Sequence, residues 1–367
     1  MGSGCEDGNC GLASGFLEDC SNQECQWEEP MFGLIDFMAD NVYNHSIQND
    51  YDKTYPIFHI LVCVTVIYIP LMLFGLLGNI LTILVVWLRP HMRSSTYLYL
   101  SSMAVSDLLI LLLLPLDLYK LWRPRPWPLG DLACKLTMFL SECCTFCTIL
   151  HITFLSLERY LAVCWPITAK TLVTRRRTRV LIGCLWLGAA VSAAPVLLMV
   201  GVEDEVDTEC RCTHYAVSSG LLSAMMILSN LYFLVPLCIL GLVYSLIGRT
   251  LWLRPQSSRR DQSHRHTVKM LGVIVLAFIL CWLPFHVGRT IFSLSLGSDL
   301  YFLYYLSQYF NLVSSVLFYL SAAVNPLLYN LMSARYRHAV HSLMHTHSHT
   351  QSLRMRTLTT RPSTTTL

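Results

Sequence analysis

The chain has 367 residues, 54% of them hydrophobic and only 13% charged, with a formal net charge of +3. Soluble domains carry about a quarter of their residues as charges, so this composition excludes an ordinary soluble protein and points to a chain solvated by lipid. Seven apolar runs, at about 57–87, 95–121, 132–164, 179–201, 217–248, 266–294 and 303–331, are each long enough to cross a hydrocarbon core of about 30 Å.

Taken in order, residues 1–56 form a polar, acidic tail holding Cys5, Cys10, Cys20 and Cys25. Outside a cell these four could close two disulfides in any pairing. Asn44-His45-Ser46 is a glycosylation sequon suited to such a tail. No cleavable signal peptide is visible, so the first run is expected to serve as an uncleaved signal.

The first run contains Gly75-x-x-Gly78-Asn79, small residues that allow close helix approach beside a polar group needing a partner. The second holds Ser106-Asp107, then Pro115, Asp117 and Lys120, before a rigid aromatic connection from Trp122 to Gly130. The third begins near Cys134, carries Glu142 and ends in Glu158-Arg159-Tyr160. From Cys134 to Arg159 it would extend roughly 37 Å as a helix, about a bilayer with its interfaces. An acid inside a span is costly and marks a functional site by default. Trp186 and Pro195 lie in the fourth run, Pro236 and Tyr244 in the fifth. The sixth reads Cys281-Trp282-Leu283-Pro284-Phe285-His286-Val287-Gly288-Arg289, and the seventh ends Asn325-Pro326-x-x-Tyr329. Residues 333–344 read as an amphipathic helix on the inner membrane face, followed by a Ser/Thr-rich tail.

The loops after runs one, three and five are rich in arginine, including Thr174-Arg175-Arg176-Arg177, whereas the opposite side carries Glu203-Asp204-Glu205-Val206-Asp207. The positive-inside rule then puts the N-terminus outside and the C-terminus inside. The expected architecture is an all-α membrane protein. It has an extracellular tail (1–56), a seven-helix bundle (57–331) and a cytoplasmic amphipathic helix with its tail (332–367). A seven-span transporter is the competing class, but it would show inverted repeats and several mid-membrane charges. No repeat is visible.

Asn79, Asp107, Cys134, Glu158-Arg159-Tyr160, Trp186, Pro236, Cys281-Trp282-Leu283-Pro284 and Asn325-Pro326-x-x-Tyr329, in this order and in these spans, resemble the rhodopsin-like G-protein-coupled receptors. The stretches Arg260 to Met270, Cys281 to Arg289, Ser307 to Val313 and Leu317 to Pro326 are most similar to the ghrelin (growth hormone secretagogue) and motilin receptor family. The resemblance implies a multi-pass plasma-membrane receptor for a small peptide hormone. It also implies heterotrimeric G-protein coupling, chiefly of the Gq class, with arrestin and receptor kinases meeting the Ser/Thr-rich tail. Receptors for other peptides, such as neuromedin U or neurotensin, are the alternative. No enzymatic activity and no nucleic-acid partner are expected.

The resemblance further implies a divided ligand cavity around a pair between Glu142 and Arg289. Asp117 lies near the same level, suited to a cationic ligand group, with Lys120 one turn on. Phe285, Phe292, Phe310 and Phe318 would form the apolar side, and Met138 stands where the family has a glutamine. Ser141 disfavours an amine ligand, and the absence of Lys from 303–331 disfavours retinal. Cys210 and Cys212 both lie in the loop that would meet Cys134, and the family's sequence favours Cys210. Glu158 would pair with Arg159 at rest. Trp282 above Pro284 would act as pivot, with Tyr160, Tyr244, Asn325, Pro326 and Tyr329 completing the inner switch. Asp107, Thr148, Ser321 and Asn325 resemble a sodium pocket, with Cys144 in place of a polar ligand-shell residue. The basic inner loops suit G protein and anionic membrane lipid alike.

Overall fold

The computed structural model describes residues 51–92, 94–123, 126–203, 209–253, 259–295, 301–332 and 336–343, though not every side chain within them. Seven long helices follow one another: α1 (Tyr51–Leu88), α2 (Ser95–Trp122), α3 (Gly130–Cys164), α4 (Arg175–Ala193), α5 (Leu221–Leu253), α6 (Arg259–Ser295) and α7 (Tyr301–Met332). The first five contain described stretches long and apolar enough to cross a membrane. Val275–Gly288 and Leu312–Leu328 are the apolar described cores of α6 and α7. Those two helices run to 37 and 32 residues, beyond the roughly 20 that a span needs.

α3 is the axis. It packs against α2, α4, α5 and α6, and 72% of its most apolar stretch is buried, against 17% for α1. α7 closes the ring against α1, α2 and α6. The closure depends on the two glycines of α1. A Cβ on Gly75 would come within 2.6 Å of Leu111, and one on Gly78 within 2.8 Å of Pro326. The Asn79 Nδ2 then finds its partners, donating to the carbonyls of Gly75 and Ala322, each at 2.9 Å. Ala322 is four residues before Pro326, so its carbonyl is the one that proline leaves without a helical donor.

Helices α1, α4 and α6 begin before the apolar runs, at Tyr51, Arg175 and Arg259, and two other boundaries are moved by chain breakers. The fourth run stops as a continuous helix at Ala193, because Pro195 breaks it; one turn (Val196–Met199) leads into strand β1 (Val200–Glu203). The fifth begins at Leu221 rather than near 217, because Gly220 adopts a positive φ of 73° and separates a short helix, His214–Ser218, from α5. β1 pairs antiparallel with β2 (Glu209–Cys212). The helix at 336–343 buries Tyr336, Ala339 and Val340 and exposes Arg337, His338 and His341, the amphipathic pattern expected of it. Tyr336 is tied to α1 through a 2.9 Å hydrogen bond with Thr82.

Candidate functional site

The end of the bundle where α3 begins is roofed by the β1–β2 hairpin, which three devices hold against α3. Cys134 and Cys210 are joined by a disulfide across 76 residues. Asp131, in the first turn of α3, accepts a hydrogen bond from the Val202 amide at 3.1 Å with one oxygen and pairs with Lys135 at 2.6 Å through the other. Gly201 lets the strand approach, since a Cβ there would lie 3.1 Å from Asp131 Oδ1. Cys212 is buried across the hairpin from Val200.

Lys120 is buried and directed to this roof. Its Nζ donates to Cys210 Sγ at 3.2 Å and stands 4.9 Å from the Trp127 ring, a geometry in which the ring face attracts the cation. Trp127 is fixed in turn by donating to the Gly130 carbonyl at 3.0 Å. Met138 belongs to the same apolar cluster as Trp127, Cys134 and Cys210.

Below the roof, Asp117 accepts a hydrogen bond from the Tyr319 hydroxyl of α7. The Tyr319 ring meets Tyr68 and Phe318 edge-on, each at 5.1 Å. Phe318 and Phe285 both stand edge-on to Trp282, at 5.3 and 6.0 Å. Two of the four phenylalanines expected to line the cavity therefore also enclose Trp282. Trp282 is 2% exposed, and its indole N–H has no hydrogen-bond partner among the described residues. Glu142 is buried in α3. The side chains of Arg289, Phe292 and Tyr329 lie outside those described, and so do the expected Glu142–Arg289 pair and Asn44. Phe310 is half-buried, its carbonyl accepting from Ser314.

At mid-depth Asp107, 2% exposed, accepts from Asn325 Nδ2 at 2.9 Å. Thr148 pairs with Ser106 at 2.8 Å, and Ser321 donates to the Phe318 carbonyl at 2.7 Å. One turn inward lies a hydrogen-bonded chain the sequence reading missed. Trp186 Nε1 donates to Ser102 Oγ at 2.9 Å, and Ser102 meets His151 Nε2 at 2.9 Å. His151 Nδ1 lies 2.7 Å from the Cys147 carbonyl. A carbonyl only accepts, so Nδ1 carries the hydrogen and Nε2 accepts from Ser102. This order ties α2, α3 and α4 together.

At the end of α3 where they lie, Glu158 and Arg159 find their hydrogen bonds across the bundle rather than with each other. The Glu158 carboxylate accepts from Ser95, from Tyr99 at 3.0 Å and from Thr178 at 3.4 Å, whereas Arg159 donates to Thr96. Three hydroxyl donors converge on Glu158 from α2 and α4, so three of its roughly four acceptor sites are taken across the bundle instead of by its neighbour. Tyr244 reaches toward α3, 3.5 Å from Ser156, and Tyr160 packs with Val163, Val243 and Ile247. Pro284 and Pro326 sit inside α6 and α7. The hydroxyl donors around Glu158 carried no distinctive spacing; only the bundle brings them together.

The seven-transmembrane receptor (rhodopsin family) model matches residues 78–329, more than half of the chain. The chain is 50% identical over 333 residues to the growth hormone secretagogue receptor type 1 of Mustela putorius furo, covering 86% of this chain and 90% of that receptor. It is 54% identical over 293 residues to the same receptor of Sus scrofa, covering 77% and 80%. It is 43% identical over 338 residues to the Homo sapiens motilin receptor, covering 77% and 81%. The family match runs from Gly78 to Tyr329 and so takes in the hairpin, Trp282 and Glu158-Arg159 alike, and it leaves no place for the transporter alternative: the chain belongs to the rhodopsin family of seven-transmembrane receptors.

Proposed function

We propose that this receptor responds to a small peptide hormone of the ghrelin or motilin type and signals through heterotrimeric G proteins, chiefly the Gq class. The observation that carries the reading is a continuous route from acid to pivot. Asp117 is bonded to Tyr319, Tyr319 meets Phe318, and Phe318 meets Trp282. A cationic group drawn to Asp117 competes with the Tyr319 hydroxyl and so disturbs the packing around Trp282, in a helix that Pro284 bends. The greater identity to secretagogue receptors than to the motilin receptor supports a ghrelin-like ligand first.

In this reading the receptor stands in the plasma membrane with its N-terminus and the hairpin roof outside. Arrestin and receptor kinases meet the Ser/Thr-rich tail, and lipid meets the arginine-rich inner surface. Arg159, half-buried beside Thr96, is the residue offered to the G protein. Asp107, Asn325, Thr148 and Ser321 are the residues that would hold a sodium ion. They supply a buried carboxylate with one described donor, Asn325, and hydroxyl oxygens whose lone pairs are not all used. The ion, when bound, neutralises the carboxylate.

The test is calcium imaging of transfected cells against acylated and unacylated gut peptides. A rise to a ghrelin- or motilin-like peptide is expected. Silence to all of them at good surface expression would overturn the ligand assignment. For the ion, peptide affinity should fall when NaCl replaces choline chloride at constant ionic strength, and Asp107→Asn should abolish the difference.

A further inference from the structure

Strand β2 brings two cysteines to the roof and uses one. Residues two apart in a strand share a face, and Cys210 and Cys212 are both buried. That face meets α3, since both belong to one apolar cluster with Cys134 and Met138. Cys210 is joined to Cys134, whereas Cys212 keeps its thiol. Same-face neighbours stand about 6.7 Å apart along a strand. A slide of β2 by two residues therefore carries Cys212 to the place of Cys210 and keeps every side chain on its present face, whereas a slide of one would turn them all over.

One facing pair gains from that slide. The present register sets Glu203 directly opposite Glu209, and like charges at facing positions destabilise a sheet. The shifted register sets Arg211 opposite Glu203 instead. Slack lies on the far side of β2. Drawing out four residues of the short helix His214–Ser218 from about 1.5 to about 3.3 Å each yields about 7 Å, the length the slide consumes. What the slide gives up is the pair of bonds that the Thr213 amide and hydroxyl make to the Met199 carbonyl.

The leaving sulfur is already served. Lys120 Nζ donates to Cys210 Sγ at 3.2 Å, and the Trp127 ring 4.9 Å away holds the ammonium there. Thiol–disulfide exchange runs faster when the expelled sulfur is stabilised as a thiolate, and a neighbouring ammonium does this.

We infer that the roof is a thiol–disulfide switch with two isomers, Cys134–Cys210 and Cys134–Cys212. The Cys212 thiol gives its proton to water, and its thiolate attacks Cys134 Sγ. The Cys134–Cys212 bond forms as the Cys134–Cys210 bond breaks. Cys210 departs as a thiolate beside the Lys120 ammonium and then takes a proton from water. One disulfide is present before and after, so no oxidant or reductant is consumed. A direct Cys210–Cys212 bond is excluded within the strand, because same-face Cβ atoms about 6.7 Å apart exceed the roughly 4 Å that a disulfide allows.

In the shifted isomer Cys210 has moved away from Lys120. Lys120 then turns to Asp117, three residues before it on α2, and masks the acid that receives the ligand's cationic group. Peptide affinity falls. This consequence rests on the ligand reading proposed above, whereas the two isomers do not.

The test is a disulfide map of the purified full-length receptor, held for hours at about pH 8.5, where an ordinary thiol is half ionised. The receptor is blocked with N-ethylmaleimide and cut with trypsin, which cleaves after Arg211 and so parts the two cysteines. The parent starts with Cys212 alkylated. At least about one tenth of it should come to carry alkylated Cys210 and a Cys134–Cys212 bond. Lys120→Met should slow the change about tenfold, and Cys212→Ser should abolish it. The number of high-affinity peptide sites should fall in proportion in the parent and stay constant in Cys212→Ser. The minority of Cys210→Ser receptor that still reaches the surface should carry the Cys134–Cys212 bond, and Cys210→Ser/Cys212→Ser should remove it. The switch is overturned if Cys210 stays unalkylated in the parent, if Lys120→Met exchanges at the parent's rate, or if the double variant reaches the surface as well as Cys210→Ser does. A receptor that exchanges yet binds peptide unchanged overturns the masking of Asp117. Should no ghrelin- or motilin-like peptide bind at all, the ligand reading fails and the map alone decides the switch.

Discussion

The Tyr319 hydroxyl of α7 donates to the Asp117 carboxylate of α2, and two edge-on ring contacts carry that bond to Trp282 in α6. Three helices thus meet at a polar contact a ligand could replace. Asp117→Asn weakens a charge-assisted hydrogen bond, a class worth about 1.5–3 kcal/mol. Peptide potency should fall roughly ten- to hundredfold, read as a shift in the calcium response at matched surface expression. Tyr319→Phe should change basal signalling as well as potency. If both variants respond as the parent does, the route from Asp117 to Trp282 is packing alone.

Arg159 is held by Thr96, and Glu158 by Ser95, Tyr99 and Thr178. Thr96→Val should therefore release Arg159 and raise basal inositol phosphate accumulation, with little effect on ligand affinity. Tyr99→Phe removes one donor to Glu158 and should cost about 1–3 kcal/mol of stability, seen as a lower Tm in detergent. An unaltered basal signal in Thr96→Val would return the restraint on Arg159 to the adjacent acid.

The roof depends on more than its disulfide. Cys210→Ser should cost about 4 kcal/mol, the scale for a loop of this length, and remove most surface receptor. Asp131→Ala deletes the Val202 and Lys135 contacts but leaves the disulfide. It should keep expression and speed ligand dissociation several-fold, measured with a labelled peptide. Equal dissociation rates would show that the disulfide alone sets the roof.

Gly75→Val places side-chain atoms where Leu111 and Ala323 already stand. Overpacking of this kind costs about 1–3 kcal/mol, so Tm should fall. Gly188→Ala, with open space around it, should leave Tm within a degree or two of the parent.

Much of this was legible before any coordinates. Span number follows from length and hydropathy, and Gly75, Gly78 and Asn79 announced a close contact because only small residues permit one. What escaped was pairing across the bundle. Nothing in spacing distinguishes Ser95, Tyr99 and Thr178 as donors to Glu158, since they belong to α2 and α4 and meet it only after packing. Adjacency suggested Arg159 instead. Lys120 reads as a cavity cation from its place one turn past Asp117, yet it extends to Cys210, a contact that exists only once the hairpin has folded over.

The carbonyl that Pro326 leaves unserved in α7 has a donor that α7 does not own. Pro326 cannot serve the Ala322 carbonyl, and Asn79 of α1 does so at 2.9 Å. The two residues are thus halves of one exchange. Asn79→Ala strands an acceptor that Pro326 cannot serve, whereas Pro326→Ala supplies that carbonyl with a helical donor, so Asn79→Ala should cost less in the Pro326→Ala background. Mutational losses at 79 and 326 should be strongly sub-additive. Any displacement of α7 past this level must either drag α1 with it or break the bond, so α1, whose most apolar stretch is only 17% buried, travels with α7 rather than standing by as a wall.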